Sequence, residues 1–215
     1  MKDLLIATTN RSKVEPFLYS CRKLGLDKLY RFVNPKELGI DIEVEENSGS
    51  FVGDSELKAR AYCRASGLMS ISFDRGIEFE ALGGWPGTES KKELTGNDKM
   101  ILGVDNRYES DVTNTQKLLD KLNGTENRTI YFGYGIALAI PNGEVISEGV
   151  RTRGTAANEL RITKLGYYFD WFFIPEGKKN TLSEMTPEEY ADYTAATLWP
   201  ITPKILERLK NESGE

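Results

Sequence analysis

Asp74, Glu78 and Glu80 stand among glycines in residues 73–87, directly after the short apolar stretch 68–71. Carboxylates at the end of a short strand, beside a turn whose backbone can approach a ligand closely, suit a hard cation such as Mg²⁺. Magnesium in turn points to phosphate as the partner. The same residues also read as a strand, an acidic surface and a glycine- and proline-rich turn.

A second segment, residues 4–13, strengthens the phosphate reading. Leu4, Leu5, Ile6 and Ala7 make a short buried strand. Thr8, Thr9 and Asn10 form a polar turn, and a helix follows with Lys13 in its first turn. A helix N-terminus offers unpaired N–H groups and the positive end of its dipole to an anion. Lys13 adds a point charge suited to phosphate. Simple capping by Thr9 or Asn10, with Lys13 solvated, is the plainer alternative.

The elements that must hold these residues follow from periodicity. A strand is expected at 3–8 and a helix at 12–24, with Val14, Phe17, Leu18 and Cys21 on one face. A strand near 29–33 precedes a linker that ends in the acidic run Glu43, Glu45, Glu46. A helix is expected at 54–66 and strands at 68–73 and 77–80. Residues 88–111 read as polar and irregular, and 113–122 as a helix. Residues 129–140 alternate large (Ile130, Phe132, Tyr134, Ile136, Leu138, Ile140) with small (Gly133, Gly135, Ala137, Ala139), a strand with one bulky and one thin face. Pro141-Asn142-Gly143 is a hairpin turn, and 144–150 returns. A last strand is expected at 168–174, then helices begun by Pro187 and Pro203. The tail 211–215 reads as frayed. Alternating units first and hairpins later imply an α/β chain with a mixed sheet.

Composition limits the function classes. The chain has 215 residues, 39% hydrophobic and 28% charged, ordinary for a soluble globular protein. A net charge of −5 argues against a broad nucleic-acid-binding face. No apolar run approaches a membrane span, and the N-terminal run is too short for a signal peptide. Cys21 and Cys63 read as buried free thiols. Together these suggest a cytoplasmic protein. Histidine is absent, so serine–histidine and cysteine–histidine nucleophile systems are excluded, as is a histidine zinc site. Acid–base work must come from carboxylates, Lys, Tyr or metal-bound water.

Taken together, the segments resemble the inosine triphosphate pyrophosphatase family. Its opening pattern, Ala-Thr-Gly-Asn-x-x-Lys, stands here as Ala7-Thr8-Thr9-Asn10-Arg11-Ser12-Lys13. Its Glu, followed by Thr-Phe-x-Glu-Asn-Ala-x-x-Lys-Ala, is echoed by Glu46 and then Ser50-Phe51-Val52-Gly53-Asp54-Ser55-Glu56-Leu57-Lys58-Ala59. Its Asp-Asp-Ser-Gly-Leu-Glu-Val-x-Ala-Leu-Gly-Gly-x-Pro-Gly matches residues 73–87. Gly-Phe-Gly-Tyr-Asp-Pro-x-Phe is echoed by 166–173, and Thr-x-Ala-Glu-Leu by 181–185. The blocks keep their order from residue 4 to about 189. Three departures stand out. Phe73 replaces the first Asp of the Asp-Asp pair, and Thr9 replaces a Gly. Residues 189–196 lack the Lys, His and Arg that read the purine base.

The resemblance implies one domain over 1–215, with a bent mixed sheet, flanking helices and two lobes around a central cleft. It implies a homodimer and a Mg²⁺-dependent enzyme that cleaves a nucleoside triphosphate to monophosphate and pyrophosphate, removing faulty nucleotides from the pool. Asp74 and Lys58 are the catalytic candidates, and Glu46 and Asp74 the metal candidates. Thr8, Thr9, Asn10, Lys13 and Lys92 are candidates for the phosphates, and Phe169 and Asp170 for the base side. With the base readers missing, relaxed or altered base specificity is expected, because unpaired buried readers are what give discrimination on the order of 10⁴. A nucleotide-binding relative without turnover, or a hydrolase releasing phosphate, are the alternatives.

Overall fold

The apolar run at the N-terminus forms β1 (Lys2–Ile6), whose Leu4 and Leu5 have no exposed surface. In the computed structural model, residues 1–8, 11–90, 104–165 and 168–214 are described, with backbone alone for 11, 12 and 104–110. β1 pairs in parallel with β2 (Tyr30–Val33), Lys2 opposite Tyr30 and Leu5 opposite Val33. On its other side it pairs in parallel with β3 (Ser70–Phe79), Ile6 opposite Ile71. Parallel neighbours need crossovers, and two helices supply them. These are α1 (Arg11–Lys23), which buries Phe17 and Cys21, and α2 (Phe51–Ser66). β4 (Thr129–Ala139), β5 (Val145–Ala156) and β6 (Phe173–Pro175) complete the sheet in the order β2-β1-β3-β4-β5-β6. β5 and β6 are antiparallel, so the sheet is mixed. The described residues also form α3 (Val104–Asp120), α4 (Pro187–Thr197) and α5 (Pro203–Ser213).

The thin face of β4 is where α2 lies. Ala59 and Cys63 of α2 pack with Ala137 and Ala139 in one cluster. Ser55 donates to the Gly135 carbonyl at 2.9 Å. A Cβ at Gly135 would run into the backbone of Phe51 and Val52. The bulky residues Tyr134, Ile136 and Leu138 are buried.

Several elements differ from the sequence expectation. The strands at 68–73 and 77–80 are one strand, because Asp74, Arg75 and Gly76 continue the extended backbone. The strand at 168–174 is a 3₁₀ turn (Tyr168–Trp171) followed by a three-residue strand. Its aromatic residues resemble a strand in composition, yet Tyr168 has φ 44°, which no strand accommodates. α3 begins at Val104, inside the stretch read as irregular. β5 runs to Ala156, six residues past the expected end. α5 continues to Ser213, with Gly214 left-handed behind it, where a frayed tail was expected.

The chain forms two compact units: Met1–Arg75, Tyr134–Val150 and Ala191–Glu215 in the first, Gly76–Gly133 and Arg151–Tyr190 in the second. The boundaries fall inside β3, β4, β5 and α4. The first unit's core includes Leu4, Phe17, Ile71, Phe73, Tyr134 and Trp199. The second is built on Phe79, Phe132, Phe169, Phe172 and Phe173, whose rings meet at about 6 Å (6.1 Å for Phe132 with Phe169 and with Phe173).

Candidate functional site

Asp74 lies on β3 in the first unit and is largely buried. Three elements of that unit bring partners to it. From α2, Lys58 Nζ approaches Asp74 Oδ1 at 3.2 Å and Glu46 Oε2 at 2.9 Å, so one ammonium bridges both carboxylates. From α1, Lys13 Nζ lies 3.5 Å from the same Asp74 oxygen. From the linker before α2 comes Glu46, which remains exposed.

Local chemistry sets these positions. Ser50 caps α2, its hydroxyl accepting from Gly53 N–H at 3.1 Å. Ser48 N–H donates to Asp54 Oδ1 at 2.9 Å, which ties the Glu46 linker to the first turn of α2. Asp54 and Lys58 are four residues apart and therefore share a helix face. Carboxylate oxygens of Glu46, Asp54 and Asp74 lie within 4.8 Å of one another. An all-oxygen donor set of this kind fits a hard divalent cation such as Mg²⁺.

Burial holds the Lys13 ammonium down to about pKa 8, from an ordinary 10.5. Asp74 opposes that shift, while Lys58 and Arg75 add to it as like charges.

Of the sequence candidates, Glu46, Lys58, Asp74 and Lys13 come together. Thr8 follows β1, half-buried, its N–H donating to Ile6 O at 2.7 Å. Thr9, Asn10 and Lys92 lie outside the described residues, as do Gly166 and Tyr167 of the aromatic motif. Phe169 and Asp170 belong to the second unit. The Phe169 ring is edge-on to Phe132, and Asp170 Oδ2 accepts from the Tyr190 hydroxyl at 2.8 Å. Glu78 and Glu80 make other connections. Glu78 pairs with Arg151 at 2.6 Å, and Glu80 accepts from Asn127 and Tyr131 at 3.0 and 3.1 Å.

Sequence reasoning missed two residues of this neighbourhood. Asp54 is the third carboxylate, and its place four residues before Lys58 was the available clue. Arg75 lies over the Trp199 ring, 4.1 Å from guanidinium carbon to centroid, and nothing in its spacing pointed there. Phe73, at the position of a family Asp, is 2% exposed and belongs to an aromatic group with Phe17 at 4.9 Å and Trp199 at 5.2 Å.

Residues 4–194 match the Ham1 family. The chain is 32% identical over 190 residues to a dITP/XTP pyrophosphatase of Aquifex aeolicus, covering 86% of this chain and 87% of that protein. Its fold is similar to a nucleoside-triphosphatase / dITP/XTP pyrophosphatase from Mycobacterium abscessus, with TM-score 0.70, 26% identity, and 92% and 96% of the two chains covered. It is also similar to the Ham1 protein of Staphylococcus aureus, with TM-score 0.74, 25% identity, and 98% and 100% covered. The chain belongs to the Ham1 family.

Proposed function

We propose that this chain, acting as one catalytic domain over 1–215, hydrolyses a nucleoside triphosphate to the monophosphate and pyrophosphate, with Mg²⁺ as cofactor. The observation that carries the reading is the Lys58 ammonium bridging Glu46 and Asp74 beside Lys13. The names of the relatives, dITP/XTP pyrophosphatases, support it. Glu46 and Asp74, joined by Asp54, would hold the Mg²⁺. Bound there, the ion neutralises charge on the phosphate oxygens. Asp74 orients the attacking water and takes its proton. Lys58 and Lys13 stabilise the charge that gathers on the departing pyrophosphate. Thr8, Thr9, Asn10 and Lys92 hold the phosphate chain, and Phe169 and Asp170 face the base.

Phosphoanhydride cleavage of this type suits removal of deaminated purine nucleotides such as ITP and XTP from the pool. The missing Lys, His and Arg in 189–196 favour a relaxed or altered choice of base. The reading includes a homodimer in the cytoplasm and no nucleic-acid partner. No helix among the described residues is long and apolar enough to cross a membrane.

The test is incubation with Mg²⁺ and a panel of common and deaminated nucleoside triphosphates, measuring pyrophosphate, monophosphate and free phosphate separately. Equimolar pyrophosphate and monophosphate are expected. The Asp74→Asn variant should lose about 10²-fold or more in turnover, the scale of a general base. Free phosphate as the primary product would assign a different cleavage position. Nucleotide binding with no product would make the chain a binding protein.

A further inference from the structure

α2 carries a second set of charges away from Asp74. Arg60, Cys63 and Arg64 stand at spacing i, i+3 and i+4 and share a face. Arg60 lies about 200° around the helix from Lys58. This face lines a cavity of about 530 Å³ beside the turn between β4 and β5. Cys63, Ala139 and Ile140 are buried and give the cavity an apolar floor. Its size is that of a small-ligand site, where apolar walls surround a few polar groups. All of its residues belong to the first unit. The cavity borders Gly67, just before β3, whereas Asp74 lies about 13 Å along that strand from Ser70.

The two guanidiniums have donors to spare. Arg60, half-buried, donates from Nη1 to the Gly143 carbonyl at 3.4 Å, and Arg64 Nε donates to the Arg60 carbonyl at 3.4 Å. Both bonds are long, and among the described residues no carboxylate pairs with either side chain. By contrast, Arg31 of the same unit pairs with Asp3, and Arg208 with Glu144. Glu144 also borders the cavity, so its charge is already balanced by Arg208. A half-buried guanidinium without a counter-charge is costly unless something meets its donors. Two such forks match phosphate oxygens, and two positive charges balance the charge of about −1.5 to −2 on a phosphate monoester at pH 7. The apolar floor calls for an apolar body on that ester. We propose that this cavity is a second ligand site, separate from the Asp74 site, that binds a phosphate monoester with an apolar or aromatic body. Its phosphoryl group lies on Arg60 and Arg64, and its body lies against Cys63 and Ile140. A ligand held there touches the same helix that carries Asp54 and Lys58.

The experiment titrates isotope-labelled protein with phenyl phosphate and follows amide chemical shifts. A chelator is present, so that no divalent cation supports phosphate binding beside Asp74. Saturable shifts centred on Arg64, Gly67 and Gly143 are expected. Arg60→Gln/Arg64→Gln should weaken binding about tenfold or more, the loss of charge-assisted hydrogen bonds, with its melting temperature little changed. If that double variant does not fold, Arg64→Glu decides: weakened binding supports the site, and wild-type binding overturns it. Benzoate, with a single charge, should bind more weakly than phenyl phosphate, and equal affinity overturns the phosphate assignment. Shifts confined to Lys13 and Asp74 place the ester only in the site already described and overturn the second one. Failure to saturate in the millimolar range overturns it as well, whatever the outcome of the pyrophosphate assay.

Discussion

Two residues decide how the carboxylate group around Lys58 is composed. Asp54 is 2% exposed and stands where the resembled pattern has Asn, while Phe73 stands where that pattern has Asp. A carboxylate is thus present on α2 and missing from β3. If Asp54 contributes to holding Mg²⁺, Asp54→Asn should raise the Mg²⁺ concentration for half-maximal pyrophosphate release several-fold, with a smaller change at saturating Mg²⁺. Unchanged Mg²⁺ dependence would assign Asp54 only to anchoring the Ser48 N–H. Restoring an acid at residue 73 should fail. Phe73→Asp removes a ring packed against Phe17 and Trp199 and leaves a buried carboxylate among aromatics, a change costing about 3 kcal/mol or more. Chemical denaturation should show that loss, with no gain in turnover.

At the level of elements, the site depends on how closely α2 approaches β4. The small residues Gly135, Ala137 and Ala139 give α2 room, and Ser55 fastens it to the Gly135 carbonyl. Lys58 and Asp54 then reach Asp74 because the helix is close. Gly135→Ala puts a methyl group into the backbone at Phe51 and Val52. Neither side of that contact is a flexible side chain, so the first turn of α2 must move. The expected cost is about 1–3 kcal/mol, the range for overpacking. Pyrophosphate release should fall together with stability, since the displaced turn carries Asp54 and the linker that bears Glu46. Ala137→Gly, which empties space on the same face, should lower stability with less effect on turnover. A variant that melts earlier yet keeps full turnover would separate the α2 contact from the site.

For the molecule as a whole, acid stability draws on a cap in the second unit. Glu184 accepts from Thr181 N–H at 2.8 Å and from the Thr181 hydroxyl at 3.0 Å, and pairs with Arg161 at 3.0 Å. The Thr181 backbone bond leads in holding its carboxyl below the ordinary 4.5, against opposing burial. A carboxyl lowered on folding stabilises the protein above its unfolded value, and that stability is lost as pH falls from about 4.5 through the folded value. Glu184→Gln should therefore melt below the wild type at neutral pH, and the gap should close in strongly acid solution. A gap that is independent of pH would mean that the charge contributes nothing. Sequence alone determined the elements whose cause is local. Apolar spacing marked β1, α1 and α2, alternating size marked both faces of β4, and Pro141-Asn142-Gly143 marked the turn before β5. It also marked Lys13, Glu46, Lys58 and Asp74 as candidates for one site, through the order of their motifs, and the structure brings those four side chains together. Tertiary structure alone decided that β3 is continuous, that 168–171 turns instead of extending, and that Phe73 is core. It also decided that Asp54 faces Asp74 while Glu78 and Glu80 pair elsewhere. Those outcomes depend on which strand or helix lies across from a residue, as when Lys58 reaches a carboxylate 16 positions away. Local periodicity carries no information about a partner at that separation.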